Sequence, residues 1–173
     1  MGVEMIGLMS RLFPICRSIT GDGVRETLAA LGEWADLDLQ EVPTGYQAFD
    51  WAVPKEWNIK DAYIKNSRGE RIVDFRENNL HVLNYSAPVA TVIPLTKLRP
   101  HIHTNAKLPD AIPYVTSYYE KRWGFCLPQR QLDALADGDY EVMIDSSLAD
   151  GHLTFADGVV QGESDREILF STY

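Results

Sequence analysis

The stretch CRSITGDGVRETL gathers Arg17, Ser18, Thr20, Asp22 and Arg25 around Gly21 and Gly23. Glycines between two helical patterns leave backbone N–H groups free, and two guanidinium groups stand beside them. That equipment suits a carboxylate or a phosphate. Arg17, Thr20 and Arg25 are therefore candidate binding residues. The same residues also suit an ordinary capped turn with solvated charges.

Other stretches carry weaker chemistry. TSYYEKRWGFC is the most aromatic segment, with Tyr118, Tyr119, Trp123 and Phe125 beside Lys121 and Arg122. Tyr118 and Trp123 could line a pocket for a peptide or a sugar; alternatively the rings fill a seam of the interior. His101 and His103 are spaced to share a strand face, a geometry that holds zinc elsewhere. RPHIHTN carries no Cys, Asp or Glu to complete that shell, so surface histidines are expected. Cys126, between Phe125 and Leu127, reads as a small buried hydrophobe. There is no G-x-S-x-G elbow, Walker loop or dinucleotide fingerprint. DALADGDYE fails as a calcium loop because Leu135 and Ile144 stand where oxygen ligands belong.

The elements that must position these residues follow from periodicity. Met5, Met9, Leu12 and Cys16 form one helical stripe, and Pro14 distorts its last turn. Asp22 suits an N-cap, and Val24, Leu28, Leu31 and Ala35 continue a second helix. The result is an αα-hairpin with a glycine-rich elbow. Residues 37–42 alternate as a short strand, and TGYQAFDWAVP adds a turn and another. From Trp57 to about Gly162 the texture is almost entirely β. DAYIKN-SRG-ERIVDF reads as a hairpin, LHVLNYSAPV and YEVMIDSSL as strands, and GHLTFADGVVQG as a hairpin turning at Asp157-Gly158. LTKLRPHI and PQRQLDALAD are short helices. EILFSTY reads as a buried strand over residues 168–173. A β block of this size between helices and a late strand looks like an insertion into an α/β domain.

Bulk properties bound the possibilities. The 173 residues suffice for one good-sized core. Lys and Arg total 16 against 25 Asp and Glu, for a net charge of −9. No basic run is present, which argues against nucleic acid as a partner. Two cysteines make no disulfide framework. No apolar run reaches membrane-span length, and the N-terminus lacks a basic leader and a cleavage site, so a cytoplasmic protein is expected.

RSITGDGVRETL, FDWAVPKEWNIKDAYIKNSRGERIVDF, DAIPYVTSYYEKRWGFC and GESDREILFSTY resemble a bacterial aminopeptidase-like family, catalogued as domain of unknown function 4910 with an inserted domain of unknown function 2172. The resemblance spans essentially the whole chain. It implies an α/β fold, part of a zinc-aminopeptidase-like mixed sheet with helices, interrupted by a β-rich subdomain. The implied division is 1–56 for the N-terminal part, 57–162 for the insertion and 163–173 for a strand returning to the main domain. Members are often labelled polysaccharide biosynthesis proteins.

In that family the strand matching EILFSTY leads into a Cys-His-Pro segment carrying a candidate metal ligand. Neither that segment nor the later ligands lie within these residues. No catalytic or metal-binding residue is assigned, and zinc is expected only of the full-length family member. The resulting expectation is an N-terminal portion of a zinc-dependent hydrolase, inactive alone. The alternative is a non-catalytic β-rich module that binds a saccharide or protein, or forms a homo-oligomer.

Overall fold

The computed structural model describes residues 2–164 and 166–172, apart from the side chain of Val3. Helices α1 (Gly2–Leu12) and α2 (Asp22–Gly32) come first, then β1 (Asp38–Pro43), β2 (Gln47–Ala48), β3 (Trp51–Ala52), β4 (Glu56–Lys65), β5 (Arg71–Asp74), β6 (Val89–Pro94), α3 (Leu95–Leu98), β7 (Ile102–His103), β8 (Phe125–Cys126), α4 (Gln129–Asp133), β9 (Asp139–Ala149) and β10 (His152–Asp157). Single 3-10 turns lie at Asn79–His81 and Arg99–His101.

The main sheet has the order β5-β4-β9-β6 and is antiparallel throughout. Its inner face follows the two-residue period of a half-buried sheet. Tyr140, Val142 and Ile144 alternate along β9, and Ala62, Ile64 and Val73 join them from β4 and β5. Leu95 and Leu98 of α3, Phe125 and Leu127 complete the core. In β4 the register shifts between Ile59 and Asp61, so adjacent Asp61 and Ala62 are both buried. A bulge of this kind re-aims a side chain. Here it turns Asp61 towards Arg71 at 3.0 Å and Arg76 at 3.1 Å. Strand β6 pairs with β9 on one side and, among the described residues, with nothing on the other.

The Ser67–Gly69 hairpin forms where the sequence places it. Asn66 Oδ1 accepts from the Arg68 and Glu70 N–H groups, and Gly69 takes a φ of 78°. Other expectations are corrected. Helix α1 ends at Leu12, a turn before Cys16, because Pro14 follows; Met5 and Met9 of the expected buried stripe are exposed. LHVLNYSAPV is a 3-10 turn with isolated bridges at Val82 and Asn84, and regular pairing begins only at Val89. No hairpin turns at Asp157-Gly158: β10 follows β9 through Asp150-Gly151 and pairs back with β1. Thus β1, from the first 56 residues, shares a ribbon with β10, from inside the expected insertion.

EILFSTY is not a strand over its described residues. Residues 166–172 find no neighbouring strand, and Ile168, Leu169 and Phe170 are exposed; Tyr173 lies outside the described residues. A strand needs a partner for its backbone groups. The architecture is nevertheless the expected combination of helices with a β-rich block.

Phe125 is fully buried, whereas Phe49 is fully exposed. Phe125→Ala is expected to lower unfolding free energy by about 3–5 kcal/mol. Phe49→Ala should stay within about 0.5 kcal/mol of the parent. Urea titration of both variants checks the assignment of the core.

Candidate functional site

The elbow between α1 and α2 is pressed onto the start of β4. Gly21 has a φ of 92°, and a Cβ there would run into the Trp57 carbonyl. A Cβ on Gly23 would strike the Cys16 carbonyl. Only glycine permits both approaches. Gly21, not Asp22, occupies the N-cap of α2, with no side-chain cap of its own. The cap comes from a distant residue: the Asp22 N–H donates to Asn58 Oδ1 at 2.7 Å. Asp22 is the first helical residue, and its carboxylate accepts from Arg25 at 2.8 Å.

Arg25 also holds Glu56 with both terminal nitrogens, Nη2 at 2.6 Å and Nη1 at 3.1 Å. Glu56 accepts further from the His152 N–H at 3.1 Å and from Asn58 Nδ2 at 3.1 Å. The Arg25 side chain is 31% exposed and that of Glu56 15%. The hydrogen bonds from Arg25 first, then those from the His152 backbone and Asn58, outweigh burial and hold the Glu56 carboxyl down at about 2. The elbow thus receives a carboxylate, and that carboxylate belongs to the chain itself.

Beside it lies a knot of aromatic and hydroxyl groups. Thr20, buried, meets the Tyr85 hydroxyl at 2.5 Å and accepts from the Trp57 N–H at 3.1 Å. The Trp57 indole stacks on Tyr85 at 5.7 Å between centroids and donates Nε1–H to the Ser86 carbonyl at 2.9 Å. Tyr118 meets Tyr85 edge-on at 4.9 Å, and its hydroxyl lies 3.2 Å from that of Tyr114. Burial pushes the Tyr85 phenol up to about 12, against the opposing pull of Thr20. The Tyr85 hydroxyl therefore stays protonated within the knot at ordinary pH.

A cleft of about 230 Å³ opens next to this knot. Its walls include Phe13, Ile15, Leu80 and Tyr114, with Arg17, Asn79 and Asn84 among its polar members. Arg17 is exposed; its Nη1 donates to the Leu12 carbonyl at 2.8 Å, and it has no ion-pair partner among the described residues. Ser18 ties this segment to the inner wall by donating to Asn84 Oδ1 at 2.8 Å. Cys16 also lines the cleft, and burial raises its thiol to about 11, so it stays protonated.

Of the sequence candidates, Thr20 and Tyr118 come together through Tyr85, and Arg17 lies on the adjoining cleft. Arg25 is engaged by Glu56. Trp123 stands apart, stacked on His101 with 3.6 Å between ring centroids. The residues that the sequence reading leaves out are Glu56, Asn58, Asn84, Tyr85 and Tyr114. Each acquires its place from partners far along the chain, and none sits in a local motif.

The histidines and cysteines do not fit a zinc ion. His81 Nδ1 is 2.9 Å from the Cys126 carbonyl, and His101 Nδ1 is 3.1 Å from the Trp123 carbonyl. No three His, Cys, Asp or Glu side chains converge as a metal-binding group among the described residues. No helix there is long and apolar enough to cross a membrane.

Comparison with known proteins places this geometry in context. The family model described as Domain of unknown function (DUF2172) matches residues 56–147, more than half of the chain. A relative from Clostridium acetobutylicum, described as a candidate polysaccharide biosynthesis protein with aminopeptidase-like domain, is 54% identical over 172 residues. The match covers 99% of this chain and 40% of that protein. The crystal structure of a candidate peptidase from the same species, at 2.37 Å resolution, aligns with a TM-score of 0.86 and 55% identity. That alignment covers 90% of this chain and 37% of the other.

The Glu56 carboxyl lies well below its unfolded value, so its contribution is full above that value and is lost as pH falls. Removing the charge with Glu56→Gln is expected to cost on the order of 3 kcal/mol at pH 7. The parent should lose the same increment between about pH 5 and about 2, and the variant should not. Urea unfolding across that pH range checks both statements.

Proposed function

We propose that this chain, which belongs to the family described as Domain of unknown function (DUF2172), forms the N-terminal part of an aminopeptidase-like hydrolase whose zinc centre lies in segments outside these residues. Identity of 54% across 99% of the chain, within 40% of a relative described as aminopeptidase-like, carries this reading.

On this reading residues 1–56 and 163–173 belong to the aminopeptidase-like domain and 57–162 form its β-rich insertion. The chain supplies walls and binding groups to a peptide-like or saccharide-related substrate, with Arg17 on the cleft and Thr20 and Tyr118 in the hydrogen-bonded and aromatic knot beside it. It carries out no step of hydrolysis itself. A second reading, a binding module for a saccharide or a protein, draws on the exposure of Tyr114, which lines the cleft, and of Tyr119.

Release of p-nitroaniline from leucine p-nitroanilide, with zinc added or chelated, separates these readings. The 173-residue chain is expected to show no zinc-dependent release and no stoichiometric zinc. The Clostridium acetobutylicum relative, at its full length, is expected to show both, with loss on chelation. Zinc-dependent turnover by the 173-residue chain would contradict the division of labour. An inert, metal-loaded relative would leave the binding-module reading.

A further inference from the structure

We infer that the cleft between the α1–α2 elbow and the Asn79–Asn84 segment is a binding site for a small monocarboxylate that carries an apolar side chain and an amide, as an N-acylated hydrophobic amino acid does. The inference rests on the cleft and not on the hydrolase assignment.

Asn84 is the first observation. It is only 5% exposed, yet it lines the cleft. Its backbone is fully used: the N–H donates to the Val115 carbonyl, and the Asn84 carbonyl accepts from Ser117 N and Oγ. Its Oδ1 accepts from Ser18. Its Nδ2 makes no hydrogen bond among the described residues. That nitrogen is not shut away from solvent, so it is open to a partner in the cleft. A carbonyl or carboxylate oxygen in the cleft would satisfy it.

Arg17 is the second observation. It reaches the same cleft from the other wall, and one of its nitrogens is fixed on the Leu12 carbonyl. The rest of the guanidinium fork has no partner among the described residues. A planar fork held at one corner matches a carboxylate.

The remaining lining decides the ligand class. Phe13, Ile15 and Leu80 supply apolar wall, and Tyr114 lines the cleft with its hydroxyl 3.2 Å from that of Tyr118. Among the described residues, Arg17 is the only charged one on the lining. One cation in an otherwise neutral cleft balances a monoanion and not a phosphate dianion, and the chain's net charge of −9 adds to the penalty for higher charge. The volume of about 230 Å³ is below the roughly 300–1,000 Å³ of sites for drug-sized ligands, so a single amino-acid-sized molecule fits it. Cys16 stays a protonated wall residue, so binding without covalent chemistry is the expectation.

The test is titration of the full 173-residue chain with N-acetyl-leucine, its uncharged analogue N-acetyl-leucinamide, and inorganic phosphate, followed by amide NMR. N-acetyl-leucine is expected to bind saturably and to shift the side-chain NH₂ pair of Asn84. The amide analogue should bind at least about tenfold more weakly, the difference one charge-assisted contact makes. Arg17→Ala should lose a similar factor with an unchanged melting temperature, since Arg17 is exposed; Arg17→Lys should fall between. Tyr114→Phe should weaken binding about two- to tenfold. Any of four results overturns the site: no saturable binding up to about 10 mM; equal affinity for acid and amide; phosphate binding as tightly as the acid; or undiminished binding in Arg17→Ala.

Discussion

Glu56 is the point on which three parts of the molecule converge. It stands at the first position of the longest strand pairing in the main sheet, takes Arg25 from α2, and accepts the N–H of His152 at the first residue of β10. Helical elbow, main sheet and β1–β10 ribbon are thereby fixed to one carboxylate. Because the site is largely screened from water, breaking the pair by removing one partner costs more than its net worth when intact. Around it the contacts are specific in shape as well as charge. Gly21 admits the Trp57 carbonyl, Asn58 caps α2, and Thr20 links the strand backbone to Tyr85. The elbow can dock in only one register.

That docking explains how much was legible in the sequence. CRSITGDGVRETL announces a carboxylate receptor through its residue types alone. It does not announce whose carboxylate, since Glu56 lies 31 residues downstream of Arg25. Hairpins whose turn chemistry is local, such as Asn66–Gly69, could be placed from the sequence. Pairings set by distant partners could not. β10 has the alternation of a strand, but nothing in it says that its neighbour is β1. Tyr85 reads as an ordinary strand residue, yet it adopts a φ of 69° to place its ring between Trp57 and Tyr118. The described residues 167–172 show the converse: an apolar, β-prone run is irregular where it has no partner strand among the described residues.

The cleft is the by-product of ending α1 early. Pro14 stops the helix at Leu12, and the chain from Phe13 to Ser18 then descends across the β block to reach the elbow. Had the helix continued to Cys16, Arg17 would not lie beside Asn84. Beside the segment, part of the Arg17 guanidinium and the Asn84 side-chain nitrogen are left without hydrogen bonds among the described residues. Among the described residues the buried side-chain polar atoms without a partner are the Thr116 and Thr154 hydroxyls, and neither residue lines this cleft.

The outer edge of β6 bears on how the molecule behaves in a crowded solution. An unpaired strand edge invites another chain to add itself, and Val92 on this strand is exposed. Pro88 precedes the strand and Pro94 closes it, so the N–H groups that a docking chain would need are missing at both ends. A copy of the protein sliding along this edge finds only a short run of donors and cannot lengthen it in either direction. The two prolines therefore act as stops against sheet-to-sheet growth, keeping the open side of the β block from becoming a template for fibres.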